Sequence, residues 1–363
     1  MTMRKVLCSP GSYIQQEGAM GQLAKEYSAI GSNGAYLLVD PMIDKLYHDQ
    51  IVSSFEQEHV PYRLVVFGGE CSMEEIERNR QNLGEADAVF GIGGGKTLDA
   101  AKAMAYFEHV PVAIVPTAAS SDAPCSRLSV LYTPDGVFDK YLPLPANPNV
   151  VIMDTDIIAK APVRFLISGL GDAFATYYEA AACVQSNAIT MTGGHATNAA
   201  FALAKLCHDT LLEDGVKAVA AAKAGVRTAA LENIIEANTL LSGLGFESSG
   251  LAAAHSIHDG MTALEGTHQM LHGEKVAFGT LAQLVLEDRP LDEVKEVYTF
   301  FREVGLPTSL AGIGIADATD EELLSVGEHA CGPDETMGNM PFEVTPIDVA
   351  HALRAADVIG KAI

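Results

Sequence analysis

Up to about Pro162 the chain repeats one pattern: a short, continuous apolar run, then a helix-length stretch. The runs are residues 35–39, 62–67, 88–92, 112–115 and 150–153, with helical stretches at 73–83 and 98–107. Runs that short and that uniformly apolar bury both faces, the signature of parallel strands with helices on either side. Beyond Pro162 the strands stop. Residues 163–184, 195–212, 216–244, 273–286 and 346–359 are rich in Ala and Leu, with apolar positions at helical spacing and Pro or Gly at several joins. The expectation is a Rossmann-like α/β domain with a parallel sheet over 1–162 and an all-α domain over 163–363. A cleft between them is the expected place for a small molecule.

Charge narrows the partners. Lys and Arg total 23 against 47 Asp and Glu, a formal net charge of −24. Such a chain repels phosphate backbones and anionic membranes, so neither nucleic acid nor a membrane is an expected partner. No apolar run reaches the ~20 residues needed to span a bilayer. The start, through Arg4 and Lys5 to Cys8, carries no long apolar stretch, so no signal peptide is expected. Six scattered cysteines without a Cys-x-x-Cys pair read as free thiols of a reducing cytoplasm. Any metal would therefore use His and carboxylates.

Three loops follow strands. After residues 88–92 come Gly93, Gly94 and Gly95, then Lys96, Thr97 and Asp99 at the start of a helix. Glycines admit a phosphate close to the backbone, and the free N–H groups of the new helix attract anions. Neither familiar template fits. A P-loop needs glycine where Phe90 stands, and the dinucleotide fingerprint needs it where Lys96 stands. A tight strand-to-helix turn also explains the glycines. Asp40 ends the run 35–39, where an acid can bind an adenosine ribose and repel a 2′-phosphate; a loop aspartate before Pro41 is the plainer reading. The third loop, 116–126, is small and hydroxyl-rich, suited to lining a cofactor or simply to a solvated turn.

The helical half carries the candidate ligands. Asp172 follows a glycine, where an N-cap is the bland alternative. His255 and His258 lie three apart and would share a helix face. His255 follows three alanines, and His272 stands at the start of another apolar helix. Two imidazoles and one carboxylate leave an open coordination position, the pattern of catalytic rather than structural zinc.

Taken together, Phe67-Gly-Gly-Glu-Cys-Ser72, Gly91-Ile-Gly-Gly-Gly-Lys-Thr-Leu-Asp99, Ser121-Asp-Ala-Pro-Cys-Ser126, Gly245-Phe-Glu-Ser248, Leu251-Ala-Ala-Ala-His255 and the stretch from His272 to Leu281 resemble bacterial glycerol dehydrogenase, of the iron-containing (group III) alcohol dehydrogenase superfamily. The resemblance runs from about Ser9 to the C-terminal helix. It implies a dehydroquinate synthase-like fold and NAD-dependent oxidation of glycerol to dihydroxyacetone. It implies Asp172, His255 and His272 as ligands of one Zn²⁺ per subunit. NAD would contact Asp40, Gly94, Gly95, Lys96, Thr97, Asp99, Thr117, Ser120, Ser126, Leu128 and Tyr132, and Asp122 would touch the diol. It further implies a cytoplasmic homo-oligomer, often an octamer. The iron-using relatives place another His four residues after the ligand Asp; here that residue is Thr176, which suits zinc at least as well as iron. His258 stands as a second group behind the ligands. A dehydroquinate-synthase-like lyase is the alternative on the same fold, but the candidate segments carry few Arg or Lys for a phosphorylated, carboxylated substrate. A non-enzymatic NAD sensor would have lost one or more ligands, yet all three matching positions are intact; a dehydrogenase for another small diol is the further alternative.

Overall fold

The structure is a computed structural model and describes residues 3–363; Met1 and Thr2, at the start read above for a signal peptide, lie outside them. Its elements are strands β1 (Ser12–Gln16), β2 (Ala35–Val39), β3 (Tyr62–Val66), β4 (Ala88–Gly93), β5 (Val112–Pro116), β6 (Leu128–Tyr132), β7 (Phe138–Pro143) and β8 (Val150–Asp154). The helices are α1 (Leu23–Tyr27), α2 (Pro41–Gln57), α3 (Met73–Arg80), α4 (Gly95–Glu108), α5 (Thr155–Lys160), α6 (Val163–Ser186), α7 (Asn198–Ala224), α8 (Ala229–Glu236), α9 (Ser242–Ser249), α10 (Ala253–Met261), α11 (His272–Leu286), α12 (Leu291–Val304), α13 (Asp320–Ala330) and α14 (Pro346–Ala362).

Two compact units result. One comprises Ser9–Ala119 and Ala123–Ala161. The other comprises Pro162–Ile363, Ser120–Asp122 and the described residues up to Cys8. The described residues up to Cys8, and residues 120–122, thus depart from the expected 1–162 domain. A backbone bridge between Lys5 and His195 and a hydrogen bond from the Ser168 hydroxyl to the Ser120 carbonyl join them to the helices.

The first unit is built on a six-stranded parallel sheet in the order β1-β8-β5-β4-β2-β3. β2, β4, β5 and β8 are wholly buried, as their continuous apolar sequences require. Phe55 of α2 packs edge-on against Phe90 of β4 and tilted against Tyr62 of β3, anchoring the helix to the sheet. The chain steps outward from β2 to β3, then crosses back to lay β4 on the other side of β2. The sheet therefore reverses direction between β2 and β4, and ligands of such sheets bind at the carboxyl ends of strands flanking that reversal. β1 and the antiparallel hairpin β6–β7 are additions to the sequence reading. β1 is partly exposed and pairs only with β8 at the sheet edge, β6 alternates buried and half-buried residues, and β7 is largely exposed.

Over 163–363 the second unit has helices as its only named elements, joined by loops. The two helices expected over 195–212 and 216–244 are divided differently. α7 continues through Gly215 to Ala224, because that glycine is a contact point: a Cβ there would lie 2.8 Å from the Phe300 ring. Asp172 lies well inside α6, so it is no N-cap. Among the described residues no helix is long and apolar enough to cross a membrane.

Candidate active site

Glycine contacts bring three helices together. In α11, a Cβ on Gly273 would stand 1.8 Å from the Ser168 carbonyl oxygen of α6, and one on Gly171 of α6 would meet the Gly273 oxygen at 2.3 Å. Farther along α11, a Cβ on Gly279 would meet the Ala254 oxygen of α10 at 2.4 Å. Only glycine permits such backbone approach. Each contact adjoins a candidate ligand: Asp172 follows Gly171, His272 precedes Gly273, and His255 follows Ala254.

The result is one cluster. Asp172 Oδ1 lies 3.0 Å from His272 Nε2 and 3.4 Å from His255 Nε2. These three residues offer donor atoms that all fall within 4.8 Å of one another, a group able to hold a metal ion. Ligand bonds of about 2.0–2.1 Å in a tetrahedral site put neighbouring donors about 3.3 Å apart. The other Asp172 oxygen, Oδ2, accepts the Asp122 backbone N–H at 3.2 Å.

Glu179 was not singled out from the sequence, yet it organises the site. It stands two turns after Asp172 on α6 and is fully buried. Its Oε1 accepts the backbone N–H groups of Ala252 (2.8 Å) and His255 (3.0 Å), supplying from another helix the cap that α10 lacks. Its Oε2 lies 2.6 Å from His255 Nδ1. A carboxylate can only accept, so His255 carries its proton on Nδ1 and turns a bare Nε2 toward Asp172. Two acceptors facing each other need a cation between them. With only protons available, burial lowers the His255 pKa, but the charges and hydrogen bonds of Glu179 and Asp172 outweigh it and hold the imidazole well above its ordinary value. For Asp172, burial pushes upward, while His272 and His255 outweigh it and hold the carboxyl well below the usual range. This donor set fits a divalent cation, whose charge the buried carboxyl groups of Asp172 and Glu179 would balance.

Asp122 is buried beside the cluster. Burial first, then the Asp172 charge, raise its pKa well above a normal carboxyl despite the Ser242 hydroxyl donating to Oδ2 at 2.7 Å. Ser242 follows a π-helical turn at Ala237–Leu241 and also bonds the Thr176 hydroxyl at 2.8 Å. His258 is buried behind His272. Burial and then the His272 charge push its pKa down to about 3.

In the sheet unit, Asp40, Gly94 and Gly95 meet at the β2/β4 reversal. The Asp40 N–H donates to the Ile92 oxygen at 2.9 Å, and a Cβ on Gly93 would strike the Asp40 Cβ at 2.6 Å. Asp40 Oδ1 caps α2 by accepting from Met42 and Ile43. The start of α4 has no side-chain cap, and a Cβ on Gly94 or Gly95 would meet nothing within 4 Å. Thr97 lies buried in the first turn of α4, and Thr117 N donates to the Gly93 oxygen at 3.1 Å. Lys96 Nζ bonds Glu70 at 2.5 Å and sits 5.1 Å from the Tyr132 ring centre.

Asp99 is committed elsewhere. Its Oδ1 pairs with buried Lys102 at 2.9 Å, and its Oδ2 accepts the Val130 N–H at 3.1 Å. Lys102 also donates to the Ala123 and Leu128 carbonyls, bracketing Ser126, whose hydroxyl donates to the Ala123 oxygen. These two residues tie the loop bearing Ser126 and Leu128 to α4. Ser120 groups with the helical unit.

Residues 10–155 match the family described as iron-containing alcohol dehydrogenase. A glycerol dehydrogenase from Thermotoga maritima is 54% identical over 354 residues, 97% of this chain and 96% of the relative. The chain belongs to the glycerol dehydrogenase family. A second member, from Citrobacter freundii, is 49% identical, with 99% of each chain covered. The crystal structure of glycerol dehydrogenase from Schizosaccharomyces pombe superposes with a TM-score of 0.96 at 43% identity, covering 99% of this chain and 92% of that one. Family membership accords with the fold expected from the sequence.

Proposed function

We propose that this chain oxidises glycerol to dihydroxyacetone, passing the C2 hydride to NAD and releasing one proton, with Zn²⁺ held by Asp172, His255 and His272. The observation that carries the reading is the convergence of those three side chains, with Glu179 holding the proton of His255 away from the shared centre. A bound Zn²⁺ supplies Lewis acidity, which makes an alcohol hydroxyl a stronger acid near neutral pH. The protein's own groups do the rest. Asp172 contributes charge, and the Asp122 backbone N–H steadies it. The Asp122 carboxyl, buried beside Asp172 with the Ser242 hydroxyl on its Oδ2, has Oδ1 left to hydrogen-bond a substrate hydroxyl. A vicinal diol offers two adjacent hydroxyls to this compact polar group, and a simple alcohol offers one.

NAD is assigned to the β2/β4 reversal. The pyrophosphate takes the free N–H groups at the start of α4 with Lys96, Thr97, Gly94 and Gly95. The adenosine ribose takes Asp40 Oδ2, the oxygen not used as a cap. Thr117, Ser120, Ser126, Leu128 and Tyr132 complete the cofactor site, and Asp99 acts behind it through Lys102. Thr176, bonded to Ser242, stands where iron-using relatives carry a further histidine, which favours zinc. A cytoplasmic homo-oligomer, up to an octamer, is the corresponding assembly; sedimentation gives its size.

The test is NADH formation on a panel of glycerol, 1,2-propanediol, 2,3-butanediol and 1-amino-2-propanol, using metal-stripped protein with Zn²⁺, Fe²⁺ or Mn²⁺ restored. Glycerol-dependent NADH that returns best with Zn²⁺ supports the reading. No NADH with any diol contradicts it and reopens a lyase.

A further inference from the structure

His255 has a carboxylate behind it; His272 does not. His272 Nδ1 lies 3.0 Å from Nε2 of His258, and His258 Nδ1 lies 2.8 Å from Oδ1 of Asp259. The two imidazole rings meet nearly edge-to-face, 4.3 Å between centres. The direction of this chain is fixed at its far end. Asp259 accepts and cannot donate, so a neutral His258 keeps its proton on Nδ1. Nε2 of His258 is then an acceptor, and only a protonated Nδ1 of His272 satisfies it. A neutral His272 has no second proton, so its Nε2 presents a lone pair 3.0 Å from Asp172 Oδ1.

We propose that His258 and Asp259 are paired positioning residues that set the tautomer of His272 and so make its Nε2 a metal ligand. The proposal rests on the metal reading of the Asp172–His255–His272 cluster. Neither residue is one of the three candidate ligands. They do through a relay what Glu179 does directly for His255, and outer groups of this kind commonly govern affinity and ring orientation. The relay matters more for His272 because that side chain is 43% exposed, against 12% for His255. Its orientation is therefore less constrained by packing.

The arrangement predicts a dependence that ordinary packing does not. Glutamine at 258 has an amide oxygen that accepts from His272 Nδ1 whatever stands at 259; leucine does not. The experiment is zinc affinity by competition with a colorimetric chelator on the full chain, with thermal melts alongside. Asp259→Ala and His258→Leu are expected to weaken zinc roughly 10- to 100-fold. His258→Gln is expected to stay near the unmodified protein, and adding Asp259→Ala to it is expected to cost nothing further. Unchanged affinity in Asp259→Ala, or an equal loss in both backgrounds, overturns the relay. If Asp259→Ala melts early, the His258→Leu and His258→Gln comparison decides alone, and equal affinities there overturn it too. Unmodified protein that binds no zinc overturns the metal reading itself and is told apart by that result.

Discussion

Gly273 of α11 and Ser168 of α6 are in backbone contact, with a Cβ on the glycine reaching within 1.8 Å of the serine carbonyl oxygen. The Ser168 hydroxyl also accepts the Gly273 N–H at 3.2 Å. This contact fixes the distance between helices bearing Asp172 and His272. Gly273→Ala must therefore separate them, destabilising the protein by about 1–3 kcal/mol and weakening metal binding. Gly338→Ala, whose added methyl meets nothing within 4 Å, is the control. Melting temperature and zinc content of the two variants check this; an unshifted Gly273→Ala would contradict it.

Glu179→Gln retains volume and one acceptor oxygen but can no longer satisfy Ala252, His255 N and His255 Nδ1 with two ionised oxygens. Zinc affinity is expected to fall roughly 10- to 100-fold, with a lower melting temperature because the cap of α10 weakens. Chelator competition and thermal melts measure the two effects separately.

Asp40 carries two roles on two oxygens: Oδ1 caps α2, and Oδ2 is assigned to the ribose. Asp40→Ser keeps a capping oxygen and removes the charge. The melting temperature should hold, while the kcat/KM ratio of NADP to NAD rises. Asp40→Ala should lose about 1 kcal/mol of stability in addition. Initial rates with both cofactors, and denaturant curves, test this.

The expected strands were legible because their residues are continuously apolar and buried on both faces. β1 and β7 were not, since an edge strand and an exposed hairpin lack that signal. The ligand residue types at 172, 255 and 272 were visible, whereas their convergence depends on Gly171, Gly273 and Gly279, which read in sequence only as punctuation. Glu179 had a faint signal, seven residues after Asp172 on one helical face. The role of Asp99 was hidden, because its partners Lys102 and Val130 reach it only after the hairpin folds back.

Acid should weaken the first unit through Asp87. Burial raises its pKa, but the Tyr27 hydroxyl and the N–H groups of Ser32, Asn33 and Gly34 outweigh that and lower it to about 2, against a usual 3.8. A carboxyl with a depressed folded pKa stabilises above its unfolded value and loses that contribution as pH falls toward the folded one. The stability difference between the protein and Asp87→Asn should therefore be full at neutral pH and shrink between about pH 4 and pH 2. Urea melts across that window measure it; a difference independent of pH would contradict the assignment.

The most direct test is equilibrium dialysis of metal-stripped protein against Zn²⁺, paired with glycerol-dependent NADH formation on the same samples. The prediction is one ion bound per chain with restored turnover, and neither in Asp172→Asn. Full turnover by protein verified free of metal, or tight zinc binding and turnover by Asp172→Asn, would contradict the account.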